Sequence, residues 1–190
     1  MSENAKKPTL YLIGGPNGSG KTTFATQYLP TEAKCRKFLN SDEIAKGLSP
    51  FDSGAAQLQA GRILLDFLKR YIAAGESFAL ESTLSGRTYV KYLEQAKAAG
   101  FKIEVHFLWL PSAQESYKRV QQRVKEGGHH VPRADVYRRY PRIMANLFDE
   151  YLPLADCWYF WNSENLPLDL VAHSATTSIE QLQKSEYQRP

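Results

Sequence analysis

Eight consecutive residues near the start of the chain have the composition of a phosphate cradle: Gly15-Pro16-Asn17-Gly18-Ser19-Gly20-Lys21-Thr22. Their spacing is G-x-x-x-x-G-K-[ST]. Glycines let the backbone curl until several N–H groups converge on phosphate oxygens, and a helix beginning near Lys21 would add the positive end of its dipole. Lys21 then reaches the β- and γ-phosphates of ATP. The Thr22 hydroxyl, followed by Thr23, is the expected ligand for Mg²⁺. The bland alternative is a Gly-rich turn that only links strand to helix. The apolar run before the loop and the helical pattern after it favour the phosphate reading.

Two carboxylates could supply an acceptor beside those phosphates. Asp42, in Asn40-Ser41-Asp42-Glu43-Ile44, follows a short strand candidate. There it could take a proton from a hydroxyl attacking the γ-phosphate, or hold magnesium through water. Alternatively, Ser41 or Asp42 merely caps the next helix. Glu81, in Phe78-Ala79-Leu80-Glu81-Ser82-Thr83, also closes a strand. It could hold the substrate, order magnesium-bound water, or sit in a rim salt bridge. Leu84-Ser85-Gly86 begins like a transporter-ATPase signature, but Arg87-Thr88 breaks it.

Arginines cluster later in the chain. Arg119 and Arg123 stand four apart on one helix face, and past Gly127-Gly128 follow His129, His130, Arg133, Arg138, Arg139 and Arg142. A positioned arginine stabilises the charge spread over a transferring γ-phosphate. The competing reading is a solvated helix face with a Glu115–Arg119 pair. His129 and His130 have no Cys or third His nearby, so a metal site there is not expected.

Positioning these groups requires alternating strands and helices. Strand candidates are 9–13 (TLYLI), 37–40, 78–80, 103–110 and 158–161, with a weaker one at 170–174. Helices are expected over about 21–28, around Leu64, Phe67, Leu68, Tyr71 and Ile72 up to Gly75, around Tyr89 to Ala96 up to Gly100, and from the Ser112 cap to Gly127. Another falls within 133–151, where Pro141 should mark a kink or a first turn. Alternation of this kind gives βαβ units, and ligands of such sheets bind at the strands' carboxyl ends.

Bulk properties set the remaining bounds. A chain of 190 residues, 43% hydrophobic and 23% charged, suits one globular domain. A net charge of +4 fits an anionic ligand without requiring nucleic acid. Cys35 and Cys157 form no CxxC pair, residues 1–7 are polar with no signal-peptide core, and 101–110 is interrupted by Lys102, Glu104 and His106. A cytoplasmic protein without membrane attachment is the expectation.

Taken in order, the phosphate loop, Ser41-Asp42-Glu43, Glu81-Ser82-Thr83-Leu84-Ser85-Gly86, and the run from Arg119 to His129-His130-Val131-Pro132 resemble the zeta toxin family of P-loop kinases, over roughly residues 9–163. The resemblance implies an α/β three-layer sandwich of the P-loop NTPase/kinase type. Its mostly parallel sheet would have five or six strands, with a helical lid at about 112–133, the domain spanning 1–178 and a polar tail at 179–190. It implies ATP and Mg²⁺ as cofactors, a UDP-sugar such as UDP-N-acetylglucosamine as acceptor, and an antitoxin protein as partner. Asp42 would be the general base, Lys21 would bind the phosphates, and Arg119 or Arg123 would meet the γ-phosphate. Glu81 and Thr83, with Arg87, His129 and Arg133, would line the acceptor side. One position departs: a second family arginine falls on His129, so either His129 replaces it or Arg133, Arg138 or Arg139 supplies the charge. A nucleic-acid end kinase and a nucleotide-gated binding protein are the alternatives carried forward.

Overall fold

The computed structural model describes residues 7–52, 54–128 and 130–188. Its strands are β1 (Thr9–Gly14), β2 (Phe38–Leu39), β3 (Phe78–Ser82), β4 (Lys102–Trp109), β5 (Cys157–Asn162) and β6 (Asp169–His173). They form a single six-stranded sheet in the order β2-β3-β1-β4-β5-β6. Every pairing is parallel except β5 with β6. The α-helices are α1 (Lys21–Thr31), α2 (Ser41–Leu48), α3 (Gln57–Ala74), α4 (Val90–Ala98), α5 (Ala113–Lys125), α6 (Arg133–Asn146) and α7 (Ile179–Gln183).

β1 is buried along its whole length, and its run from Leu10 to Ile13 packs on both faces of the sheet. Leu10 and Leu12 meet a large core that includes Leu64 and Leu68 of α3, Leu93 of α4 and Ile143 of α6. Tyr11 and Ile13 meet Ala25 and Leu29 of α1 on the opposite face. The result is three layers, with strand order reversing at β1, where α/β sheets open a crevice for ligands.

The α1 face also buries charge. Trp161 Nε1 donates to His106 Nδ1 (3.3 Å), so the His106 proton sits on Nε2 and is donated to Glu104 Oε1 (3.0 Å). Tyr28 of α1 donates to the same oxygen (3.0 Å), and Lys102 to Oε2 (2.9 Å). Burial alone would raise the Glu104 pKa, but the donors from His106 and Lys102 outweigh it and hold the carboxyl at about 2. Burial keeps His106 below its ordinary value. This network ties the helix of the phosphate loop to β4 and β5.

Beyond β4, one local expectation gains detail and one changes. Pro141 lies inside α6, and the helix leads into a wider π-turn, Leu147–Tyr151, whose Leu147, Phe148 and Tyr151 are buried. The segment after Ser178, expected as a polar tail, forms α7. Its Leu182 is buried in the main core, and Tyr187 packs edge-on against Trp109. Among the described residues, no helix is long and apolar enough to cross a membrane.

Candidate phosphate and acceptor site

The loop leaves β1 under tight steric constraint. A Cβ on Gly15 would lie 2.4 Å from the Leu108 carbonyl oxygen, so only glycine lets the chain pass β4 here. Gly20, at φ 82, is the N-cap of α1 and offers no side chain to its first-turn N–H groups. Those groups point toward an incoming anion instead. Within the loop, Ser19 Oγ and Asn17 Oδ1 are buried without a hydrogen-bond partner in the protein. Both can meet a polar ligand. Lys21 Nζ donates to the Pro16 carbonyl (2.8 Å), which folds the ammonium over the loop. Burial lowers the Lys21 pKa, while Glu81 and Asp42 oppose that shift and Arg123 adds to it. Thr23 is exposed on the next position of α1.

Thr22 and Glu81 meet directly: Thr22 Oγ1 donates to Glu81 Oε2 at 2.9 Å. Asn40 Nδ2 donates to the same oxygen at 2.9 Å. Burial raises the Glu81 pKa, against the pull of Lys21 and the Thr22 hydroxyl. The cap of α2 is neither Ser41 nor Asp42. It is Asn40, whose Oδ1 accepts from the N–H groups of Asp42 (2.8 Å) and Glu43 (3.3 Å). The Asp42 carboxylate is therefore not consumed by capping, and it accepts one bond from Gln57 Nε2 (3.3 Å). The sequence assigns no role to Asn40 or Gln57. An Asn just before Ser-Asp-Glu was a legible cap signal, but nothing local marked Gln57.

These groups line one cleft of about 710 Å³. Lys21, Thr22, Asn40, Glu81, Asp42 and Gln57 are among its lining residues. Thr83, Ser85, Thr88 and Tyr89 follow from the β3–α4 connection, and Arg123, His130, Asp135, Arg138 and Arg139 stand on the α5–α6 side. The β3–α4 loop is pinned by Leu84, which is fully buried at φ 60. Its carbonyl accepts from Asn146 Nδ2 (2.8 Å). Such strain in a non-glycine residue persists only where its surroundings over-determine it.

Helix α5 is seated on the phosphate loop. Ser116 Oγ donates to the Asn17 carbonyl (2.6 Å), and a Cβ on Gly18 would lie 2.8 Å from Arg119 Cβ. This contact separates the two arginines that the sequence left equivalent. Arg123 lines the cleft, whereas Arg119 crosses above the loop and donates to the Glu164 carbonyl (2.7 Å). Arg87 also turns from the cleft, to pair with Glu150 (2.6 Å). Arg133, the first residue of α6, sits 5.0 Å from the Tyr137 ring centroid and 6.0 Å from that of Tyr117. Arg138 and Arg139 line the cleft, both within 4 Å of Asp135, whereas Arg87 and Arg133 are not part of its lining. His129 lies outside the described residues. Among those residues, no cluster of three His, Cys, Asp or Glu side chains is assembled to hold a metal unaided. Thr22 and Glu81 nevertheless present the hard oxygens that suit Mg²⁺ alongside phosphate.

Comparison with known proteins agrees with this architecture. A protein of Haemophilus influenzae with no assigned function is 30% identical over 126 residues, 66% of this chain and 88% of that one. A structure of the PezAT chromosomal toxin–antitoxin system of Streptococcus pneumoniae superposes with a TM-score of 0.67 at 15% identity, over 96% of this chain and 79% of that one. The AvrRxo1-ORF1:ORF2 complex with ATP also gives 0.67, at 21% identity, over 90% and 59%. At these identities the two structures establish the fold, which is the P-loop kinase type that the zeta toxin resemblance implied. The profile of the AAA domain family matches residues 10–139, most of the length from β1 to the cleft side of α6, and the chain belongs to that family.

Proposed function

We propose that the chain is an ATP-dependent kinase that transfers the γ-phosphate to a hydroxyl of a small molecule, with a UDP-sugar such as UDP-N-acetylglucosamine as the first acceptor to test. The observation carrying this reading is that Asp42 shares one cleft with the phosphate loop while its carboxylate remains available. Asp42 accepts the proton of the acceptor hydroxyl as that oxygen attacks the γ-phosphorus, and the bond to the β–γ bridging oxygen breaks to release ADP. Lys21 and Arg123 face the charge that develops on the transferring group. Mg²⁺, when bound, would be held by Thr22 with Glu81 or Asp42 and would neutralise charge on the β- and γ-phosphates.

A nucleic-acid end kinase would need a track of available arginines. Arg133 is instead engaged by tyrosines, and Arg138 and Arg139 by Asp135. A nucleotide-gated binding protein would leave Asp42 without work. The deciding experiment follows labelled γ-phosphate from ATP into a metabolite panel that includes UDP-sugars. Asp42→Asn should lower transfer by about 10²- to 10⁴-fold while ATP still binds. Undiminished transfer by that variant would remove Asp42 from the mechanism. The PezAT likeness makes an antitoxin the protein partner to seek, by co-purification from the source cell.

A further inference from the structure

Asn40 is bound at both ends of its amide. Its oxygen accepts from the N–H groups of Asp42 and Glu43, fixing the first turn of α2. Its nitrogen donates to Glu81 Oε2, the oxygen that also receives the Thr22 hydroxyl. The side chain is buried, at 6% exposure. Sheet register brings the two residues together. Leu39 of β2 pairs with Leu80 of β3, and one further step along each strand sets Asn40 beside Glu81. β2 has only two residues, so this bond extends a very short strand pairing into the cleft.

We propose that Asn40 is a positioning residue for transfer: one side chain sets where Asp42 and Glu81 stand relative to each other and to Thr22. The inference rests on the kinase reading above. An amide is the group that suits both tasks, because it accepts at one atom and donates at the other. Aspartate has the same shape and caps helices equally well, but it would set an oxygen against the Glu81 carboxylate. Serine also caps but is too short to reach Glu81. If Asn40 were only a cap, both replacements would be silent.

Asn40→Asp, Asn40→Ser, the cap-removing control Asn40→Ala, Glu81→Ala and the double variant Asn40→Ser/Glu81→Ala would be compared by thermal unfolding, ATP binding with and without Mg²⁺, and steady-state transfer. Asn40→Asp and Asn40→Ser should both melt closer to wild type than Asn40→Ala does. Their kcat should fall by about 10- to 100-fold, as for other residues that orient a reacting group through a hydrogen bond, with KM for both substrates within about twofold. The double variant should be no slower than Glu81→Ala alone, since without the Glu81 carboxylate Asn40 Nδ2 has no contact there left to lose. Wild-type kcat in Asn40→Asp and Asn40→Ser, or losses that multiply in the double variant, would reduce Asn40 to a cap while the kinase reading stands. If the wild type transfers phosphate to no acceptor, the kinase reading falls. The same cycle is then scored on the gain in ATP affinity brought by Mg²⁺: non-additive losses support the clamp, and additive losses or no Mg²⁺ gain overturn it.

Discussion

Gly18 and Gly20 provide an internal control for the seating of α5. Both have left-handed backbone, at φ 78 and φ 82. Alanine at either position incurs the same conformational penalty, about 1–2 kcal/mol. Their surroundings differ. A Cβ at Gly20 meets nothing within 4 Å, whereas one at Gly18 lies 2.8 Å from Arg119 Cβ and 3.0 Å from the Ser116 carbonyl oxygen. The helix must back away from the loop, an overpacking cost of about 1–3 kcal/mol. For a domain of this size each kcal/mol lowers Tm by about 2–4 °C. Gly20→Ala should therefore melt about 2–8 °C below wild type, and Gly18→Ala about 2–12 °C lower again. The assay is thermal unfolding of the ligand-free protein, which keeps phosphate contacts out of the comparison. Equal losses in the two variants would mean that α5 does not rest on the loop in solution. Ser116→Ala probes the same seat more gently. It removes the 2.6 Å bond to Asn17 at a cost of about 1 kcal/mol, and its effect should not add fully to that of Gly18→Ala.

Three further outcomes are expected. Arg123→Gln should reduce kcat by about 10³-fold or more, the lower end of what a transfer-stabilising arginine supplies, and Arg119→Gln by less than about tenfold. Equal losses in steady-state assays would undo the distinction drawn from the Glu164 contact. Gly128→Ala places a Cβ 2.5 Å from Arg123 Cγ and 2.9 Å from its carbonyl oxygen, so it should lower kcat through Arg123 with little change in ATP affinity; unchanged kcat would show that the Arg123 stem does not pack there. Glu104 has a folded pKa of about 2 against an ordinary 4.5, so it contributes stability above pH 4.5 that is lost as pH falls toward 2. Measured against Glu104→Gln in urea titrations, the wild type should lose about 3 kcal/mol of relative stability as pH falls across this window; a pH-independent difference would contradict the network.

How much of this was legible in the sequence varies with the range of the interaction. The apolar run of β1, the glycine loop and the Ser112 cap each depend on neighbours a few residues away, and each could be read directly. Ser112 Oγ does accept from Glu115 N–H (3.1 Å), although the Glu115 carboxylate then turns to Lys118 and Arg119. The role of Asn40 depends on Glu81, 41 positions later, and on a two-residue strand too short to show a pattern. Arg119 and Arg123 looked equivalent because helical spacing reports a shared face, not which turn of that face rests on another element. Glu104 and His106 read as interruptions of an apolar strand. Their partners Tyr28 and Trp161 come from elements on either side, and only the assembled sheet makes them a network.

The charge balance of the cleft bears on the form of nucleotide it suits. Among the described residues its lining holds four cationic side chains, Lys21, Arg123, Arg138 and Arg139, against the three carboxylates Asp42, Glu81 and Asp135. With His130 taken as neutral, one net positive charge faces the ligand, and two of the arginines are already committed to Asp135. That is little to set against a bare triphosphate. A metal-bound triphosphate, part of whose charge is neutralised before it arrives, fits better. Releasing Arg138 and Arg139 would then require removing their partner: Asp135→Asn should raise affinity for metal-free ATP more than for the Mg²⁺ complex, measured by calorimetry with and without EDTA. Equal gains in the two conditions would mean that the α6 arginines do not sense the nucleotide's charge.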